Sequence, residues 1–235
     1  MRADVGHSEA GPVEQAPACR RGPWRRRWRL AREGRAFVLV PLGVAAGTSA
    51  IGWWWAAIPA LAAGLFCAYF FRDPDRIVPD DPRLVVAPAD GRVTKIDEAP
   101  SGLHIVIFLS LFDVHVNRSP VAGVVRRVHR KPGRFLAAFD ERAGTLNARN
   151  ELTLDTRQGR VEVSQITGLI ARRIVCRVRP GDRLAKGERF GLIRFGSRTD
   201  LFLPAGTRPL VAVGEKVRGG TTPVAQWSAG EADRP

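Results

Sequence analysis

Three polar residues of this 235-residue chain have the types and the surroundings for acyl or proton-transfer chemistry. Ser197 follows Gly196 directly after Leu192-Ile193-Arg194-Phe195. A serine hydroxyl is a weak nucleophile until a neighbouring base takes its proton. A preceding glycine permits backbone strain and close approaches that a Cβ would block. His115 lies in F-D-V-H-V-N-R, Phe112 to Arg118, where Asp113, His115, Asn117 and Arg118 form a polar set. In an extended strand that set would project from one face, at the end of the apolar run Ile105 to Leu111. Asp90 occupies the tight Pro88-Ala89-Asp90-Gly91 turn. Singly, each has a structural reading: Gly-Ser is a common dipeptide, Asp-Gly is a hairpin signal, and a polar strand face can meet solvent. His7 falls in the N-terminal tail, and His104 and His129 read as structural. There is no glycine-rich phosphate loop, no HExxH and no suggestive pair of carboxylates, and no metal is expected.

The elements that must position these residues are short strands. Glycine, proline and aspartate punctuate β-branched runs at Leu84 to Ala87, Arg92 to Ile96, His104 to Leu109, Val124 to Val128, Arg160 to Ile166, Ile174 to Val178, Arg189 to Phe195, Leu201 to Leu203 and Leu210 to Val213. Such spacing predicts a mainly β domain over residues 72–235. Little helix is expected in it, except around Gly133 to Arg142. Gly181-Asp182-Arg183-Leu184 leading to Gly187 is echoed by Gly214-Glu215-Lys216-Val217 leading to Gly220. With the A-P-A-D-G opening at Ala87 to Gly91, this texture is similar to the flattened, barrel-sandwich-like β-sandwich of biotinyl and lipoyl carriers, a likeness that decides no function.

The formal net charge of +14 is unevenly spread: between Cys19 and Arg35 eight arginines stand against one glutamate, with Trp24 and Trp28 among them. This tail, residues 1–35, runs into a stretch without any charge from Ala36 to Phe71. At about 1.5 Å per residue that stretch is too long for one membrane span and near the minimum for two. The sequence therefore predicts a transmembrane or membrane-inserted helical hairpin over 36–71, broken near Gly52 and Pro59, with Trp53, Trp54 and Trp55 at its far turn. Arg35 and Arg72 then share the basic, cytoplasmic side. The tail is expected to meet an anionic membrane surface and not nucleic acid. Cys19, Cys67 and Cys176 lie too far apart for a disulfide framework or a CxxC site, which suits a reducing compartment.

Together, FFRDP (Phe70 to Pro74), VVAPADG (Val85 to Gly91), IFLSLFDVHVNRSP (Ile107 to Pro120), the Pro132-to-Phe135 segment, NARNE (Asn147 to Glu151), QITGLIARRIV (Gln165 to Val175) and RFGSRTDLFLP (Arg194 to Pro204) resemble phosphatidylserine decarboxylases of the short bacterial and archaeal type. The motifs follow the family's order over residues 70–204. The resemblance implies self-cleavage between Gly196 and Ser197, with His115 as the base, Asp90 as its orienter and Ser197 converted to a pyruvoyl cofactor. It implies decarboxylation of phosphatidylserine to phosphatidylethanolamine and CO2 in phospholipid biosynthesis, by a heterodimer of fragments 1–196 and 197–235 at the cytoplasmic face of the cell membrane. Arg118 and Arg198 are candidates for the substrate carboxylate or phosphate, because the planar guanidinium suits both. Two other readings stay open here: an archaetidylserine-type ether-lipid decarboxylase, and a non-catalytic, membrane-anchored β-sandwich carrier or adaptor.

Overall fold

The computed structural model describes residues 28–138, 140, 142–169, 173–194 and 197–228. In chain order the described elements are β1 (Trp28–Leu30), α1 (Arg35–Ala50), α2 (Trp54–Phe70), β2 (Arg72–Pro74), β3 (Leu84–Val86), β4 (Gly91–Ala99), β5 (Gly102–Leu109), β6 (Val116–Arg118), β7 (Gly123–Lys131) and α3 (Ala143–Leu146). They continue with β8 (Arg149–Thr156), β9 (Gly159–Ile166), β10 (Ile174–Cys176), β11 (Arg183–Leu184), β12 (Arg189–Ile193), β13 (Ser197–Pro204), β14 (Thr207–Pro209), β15 (Lys216–Val217) and β16 (Pro223–Trp227).

The domain after the helices is mainly β. One curled antiparallel sheet has the order β11-β7-β8-β9-β13-β5-β4-β15, and two three-stranded sheets, β10-β12-β6 and β14-β16-β3, accompany it. The alternation of each long strand turns Val93, Ile105, Ile107, Leu152, Leu154, Val161, Val163 and Leu201 inward. Val85, Phe190, Val224 and Trp227 from the small sheets close that core from the other side. The helix expected around 133–142 is instead a single turn at Ala143–Leu146. Buried Asn147 holds the preceding loop in its place, accepting from Leu136 N at 2.8 Å and donating to the carbonyls of Leu136 and Thr167. The segment Leu210 to Val213 is no strand but a turn.

The glycine echo is a structural repeat. β11 and β15 close opposite edges of the large sheet, Arg183 and Leu184 pairing with Val124 and Gly123 as Lys216 and Val217 pair with Arg92 and Gly91. Matching hydrogen bonds recur: Gly181 N to Val125 O and Gly214 N to Val93 O, and Gly187 N to Ser119 O and Gly220 N to Ala87 O. Gly181, Gly187, Gly214 and Gly220 all take positive φ, which is why glycine recurs at these turns. In this repeat Asp90 corresponds to Ala122, so its carboxylate belongs to one copy only.

The uncharged stretch folds as two helices joined through Gly52, at φ 75°, and Trp53. Pro59 does not break the chain but lies inside α2. Gly64 faces the Leu42 side chain so closely that a Cβ would meet it at 2.8 Å, which fixes the approach of the two helices. With 16 and 17 residues the helices measure about 24 and 26 Å. No helix among the described residues is long and apolar enough to cross a membrane. At the root, β1 pairs with β2 and Ala31 N donates to Phe71 O. Phe70 and Phe71 are buried there against Val114, Val116 and Leu192, a second small core that fastens the hairpin beside His115.

Candidate active site

Ser197 opens β13, the strand between β9 and β5, opposite Leu109. It is fully buried, and its Oγ has no hydrogen-bond partner among the described residues. Buried hydroxyls are nearly always paired, so an orphan of this kind calls for a chemical reason. Phe195 and Gly196, the other side of the expected scissile bond, lie outside the described residues.

His115 immediately precedes β6 and is also fully buried. Its carbonyl accepts from Ile193 N at 3.2 Å, so the partner strand β12 ends beside it, four residues before Ser197. Its Nδ1 donates to the Asp113 carbonyl at 2.9 Å, which puts the proton on Nδ1 and makes Nε2 the basic nitrogen. The ring packs on Phe70 at 4.2 Å between centroids. Burial lowers its pKa to about 4, with the Arg72 charge adding to the shift against the pull of Asp113. At neutral pH the imidazole is therefore uncharged, the form a general base requires. Asp113 shapes the turn below it, its Oδ2 accepting from Ser110 N and Oγ at 2.9 and 2.7 Å.

The hydrogen bonds of Asp90 run elsewhere. Its Oδ2 accepts from Arg76 at 2.6 Å and its Oδ1 from Gly219 N at 2.7 Å. Burial raises its pKa, against the opposing Arg76 charge. The group that orients the imidazole through Nδ1 is thus the Asp113 carbonyl, while Asp90 ties the site's turn to the Gly219 turn. The polar set around His115 also divides, because the strand spans only Val116–Arg118 and successive residues point to opposite sides.

Both candidate substrate arginines have carboxylate partners within the fold. Arg118 is buried, donating to Asp73 at 2.9 Å and to the carbonyls of Pro74 and Gly187 at 2.9 and 3.2 Å. Burial lowers its pKa to about 10. Arg198 forks onto Asp200 at 2.6 and 2.7 Å and, next along β13, points to the face opposite Ser197. Asp200 also meets His104 Nε2 at 3.1 Å, which gives that histidine its structural place.

A buried amide chain beside Ser197 escaped the sequence reading. Asn150 donates to Gln165 at 2.9 Å, Gln165 to Asn117 at 2.8 Å, and Asn117 to Thr199 at 3.3 Å. Asn150, Gln165 and Thr199 are neighbours in one row across β8, β9 and β13. Asn117 reaches them from β6, so it bridges the sheet carrying His115 and the sheet carrying Ser197, two residues beyond each. Gly191 makes the bridge possible, since a Cβ there would stand 2.8 Å from the Gln165 amide nitrogen. All four residues lie in the family-like motifs, and Asn117 in the polar set around His115, but no sequence signal joined them into a chain.

Comparison with known proteins agrees with this arrangement. The family model described as phosphatidylserine decarboxylase matches residues 63–225. A phosphatidylserine decarboxylase proenzyme of Gluconacetobacter diazotrophicus is 48% identical over 206 residues, 82% of this chain and 92% of the relative. Proenzymes of the same name from Beijerinckia indica and Nitratidesulfovibrio vulgaris are 46% and 47% identical over 77% and 76% of this chain, covering 83% and 85% of their own lengths. With the family's match spanning most of the chain and relatives 46–48% identical over three quarters of it or more, this chain belongs to the phosphatidylserine decarboxylase family of enzymes.

Proposed function

We propose that the chain is a proenzyme that cuts itself between Gly196 and Ser197, converts Ser197 into a pyruvoyl group, and decarboxylates phosphatidylserine to phosphatidylethanolamine. The observation that carries this reading is the orphaned, buried Ser197 Oγ on the strand that follows His115's partner strand. In the cut, His115 Nε2 takes the hydroxyl proton and Oγ adds to the Gly196 carbonyl carbon. The C–N bond breaks as the nitrogen receives a proton, leaving an ester. Loss of the Ser197 α-proton expels the Gly196 carboxylate, and the dehydroalanine left at residue 197 hydrolyses with release of ammonia.

The pyruvoyl group supplies an electron sink for the loss of CO2. His115 Nε2, uncharged at rest, takes a proton from the substrate ammonium group and returns it at the substrate α-carbon, Phe70 keeps water from the imidazole, and the Asn117 bridge holds β13 in register with it. Arg118 and Arg198, each fastened to an aspartate, leave the headgroup to other cations. Membership of an enzyme family displaces the carrier or adaptor reading, and the bacterial relatives favour an ester over an ether lipid.

The hairpin supports a membrane setting for this chemistry. Leu39, Val40, Trp54, Trp55, Ile58 and Leu65 are each more than half exposed, apolar surface that water does not favour. Helices of this length, with the tryptophans at the tip, suit insertion into one leaflet and return to the cytoplasmic face.

Intact mass of the purified protein tests the proposal: wild type should give fragments 1–196 and 197–235 without added protease, Ser197→Ala should give one chain, and the cut form should release CO2 from phosphatidylserine without added pyridoxal phosphate. A preparation that is active yet wholly uncut would overturn it. Protection of a Leu30→Cys and an Asp80→Cys label from outside intact cells tests the topology; labelling of either would exclude the returning hairpin.

A further inference from the structure

The geometry points to a second binding site, an arginine-lined cavity at the hairpin root that holds the phosphate of an anionic phospholipid other than the one being decarboxylated. The cavity has a volume of about 480 Å³, in the range of small-ligand sites. Arg29, Arg32, Arg35, Arg177 and Arg189 line it, against the carboxylates of Glu33 and Asp73 alone. Both acids are already taken: Glu33 by Arg177 at 2.7 Å, and Asp73 by Arg189 at 2.6 Å and by Arg118 at 2.9 Å. The carboxylate paired with Arg29 is Asp75, at 3.9 Å. Arg32 and Arg35 have no ion-pair partner among the described residues. Such a cavity needs an anion, and arginine forks match phosphate oxygens.

Position and size select the anion. α1 leaves the cavity through exposed Phe37, Leu39 and Val40, so the arginines sit at headgroup level when the hairpin is inserted. A pocket of this volume admits a headgroup and not a nucleic-acid duplex. The sequence just before it adds no opposite charge, since Arg20, Arg21, Arg25, Arg26 and Arg27 come next. The reacting lipid is elsewhere: Val116 lines the cavity, while Asn117, next in β6, turns the other way to Gln165 and Thr199. Strands β6 and β12 thus stand between the cavity and Ser197, and the bound lipid acts as a tether for the enzyme.

This inference rests on the membrane reading of the hairpin, and its test separates it from the decarboxylase reading. The full chain in a nonionic detergent is titrated with short-chain phosphatidylglycerol, with phosphatidylcholine and with inorganic phosphate, following the melting temperature. Phosphatidylglycerol should raise it saturably and phosphatidylcholine should not. The double variant R32Q/R35Q should bind phosphatidylglycerol at least tenfold more weakly, R32K/R35K should retain part of the binding, and both should release CO2 from monomeric short-chain phosphatidylserine as wild type does. Equal phosphatidylglycerol binding by R32Q/R35Q, or equal shifts from the two lipids, would overturn the site. Saturation by inorganic phosphate with no further gain from the lipid would replace the tether by a free-phosphate site. A wild type that releases no CO2 would count against the decarboxylase reading and leave the lipid shift to be judged alone.

Discussion

Replacing Thr199 by valine removes a hydroxyl without changing the shape of the side chain, and it opens the bridge between the two sheets at one atom. Asn117 Nδ2 would lose its acceptor in a fully buried position. A buried donor left unpaired costs about 1–3 kcal/mol. At 3.3 Å the bond is long for an N–H···O contact, so the lower part of that range, about 1–2 kcal/mol, applies. For a chain of this size the melting temperature of the Ser197→Ala background should then fall by about 2–8 °C. If the same energy holds Ser197 against His115, self-cleavage should slow by about five- to thirtyfold. A cell-free synthesis time course, stopped in denaturant and read by gel, measures the rate before any processed protein accumulates. Thr199→Ser, which keeps the oxygen, should restore most of it. Cleavage of Thr199→Val at the wild-type rate, with the expected loss in melting temperature, would show that the bridge supports the fold but does not set the geometry of the cut.

The depressed pKa of His115 gives a pH dependence with a definite sign. Between about pH 6.5 and 4 the unfolded chain binds a proton that the folded chain refuses, so stability should fall on acidification through that window by about 3 kcal/mol from this group, while wild-type cleavage keeps its base until pH approaches about 4. A cleavage rate that halves near pH 6.5 would place the imidazole in water instead. Asp90 and Arg76 form one pair, so Asp90→Asn and Arg76→Ala should each lower stability by about 3 kcal/mol and slow cleavage to a similar degree, short of the complete block expected for His115→Ala. A block in Asp90→Asn with normal cleavage in Arg76→Ala would restore Asp90 as the direct orienter.

Much of the β domain was legible because apolar alternation and turn residues agree along β4, β5, β7 and β9. β8 was not, since Arg149, Asn150, Glu151 and Asp155 mask the alternation of Leu152 and Leu154. The helical hairpin was legible from its missing charges, but Pro59 misled: a proline in the second turn of a helix loses one hydrogen bond and ends nothing. In the site, Ser197 and His115 could be named from motifs. The orienting group of His115 could not, because a backbone carbonyl has no signature in a sequence. Nor could the bridge, whose partners Asn117, Asn150, Gln165 and Thr199 come from four strands with long stretches of chain between them.

The place of β13 in the large sheet decides what kind of machine a cut before Ser197 would leave. Its eight residues pair with β5 along one edge and five of them with β9 along the other, and β15 and β16, also from the C-terminal piece, are paired with β4 and β3. The short fragment could not leave without unzipping the sheet on both sides, so parting of the two pieces and loss of the fold would be one event. The new chain start would be the end of an interior strand and not the tip of a loop. A reactive group carried there cannot swing, as one on a long lysine arm can. If the proposed chemistry holds, a lipid substrate would have to do the travelling, and every degree of freedom that brings it to the reacting carbon would come from the membrane side of the encounter.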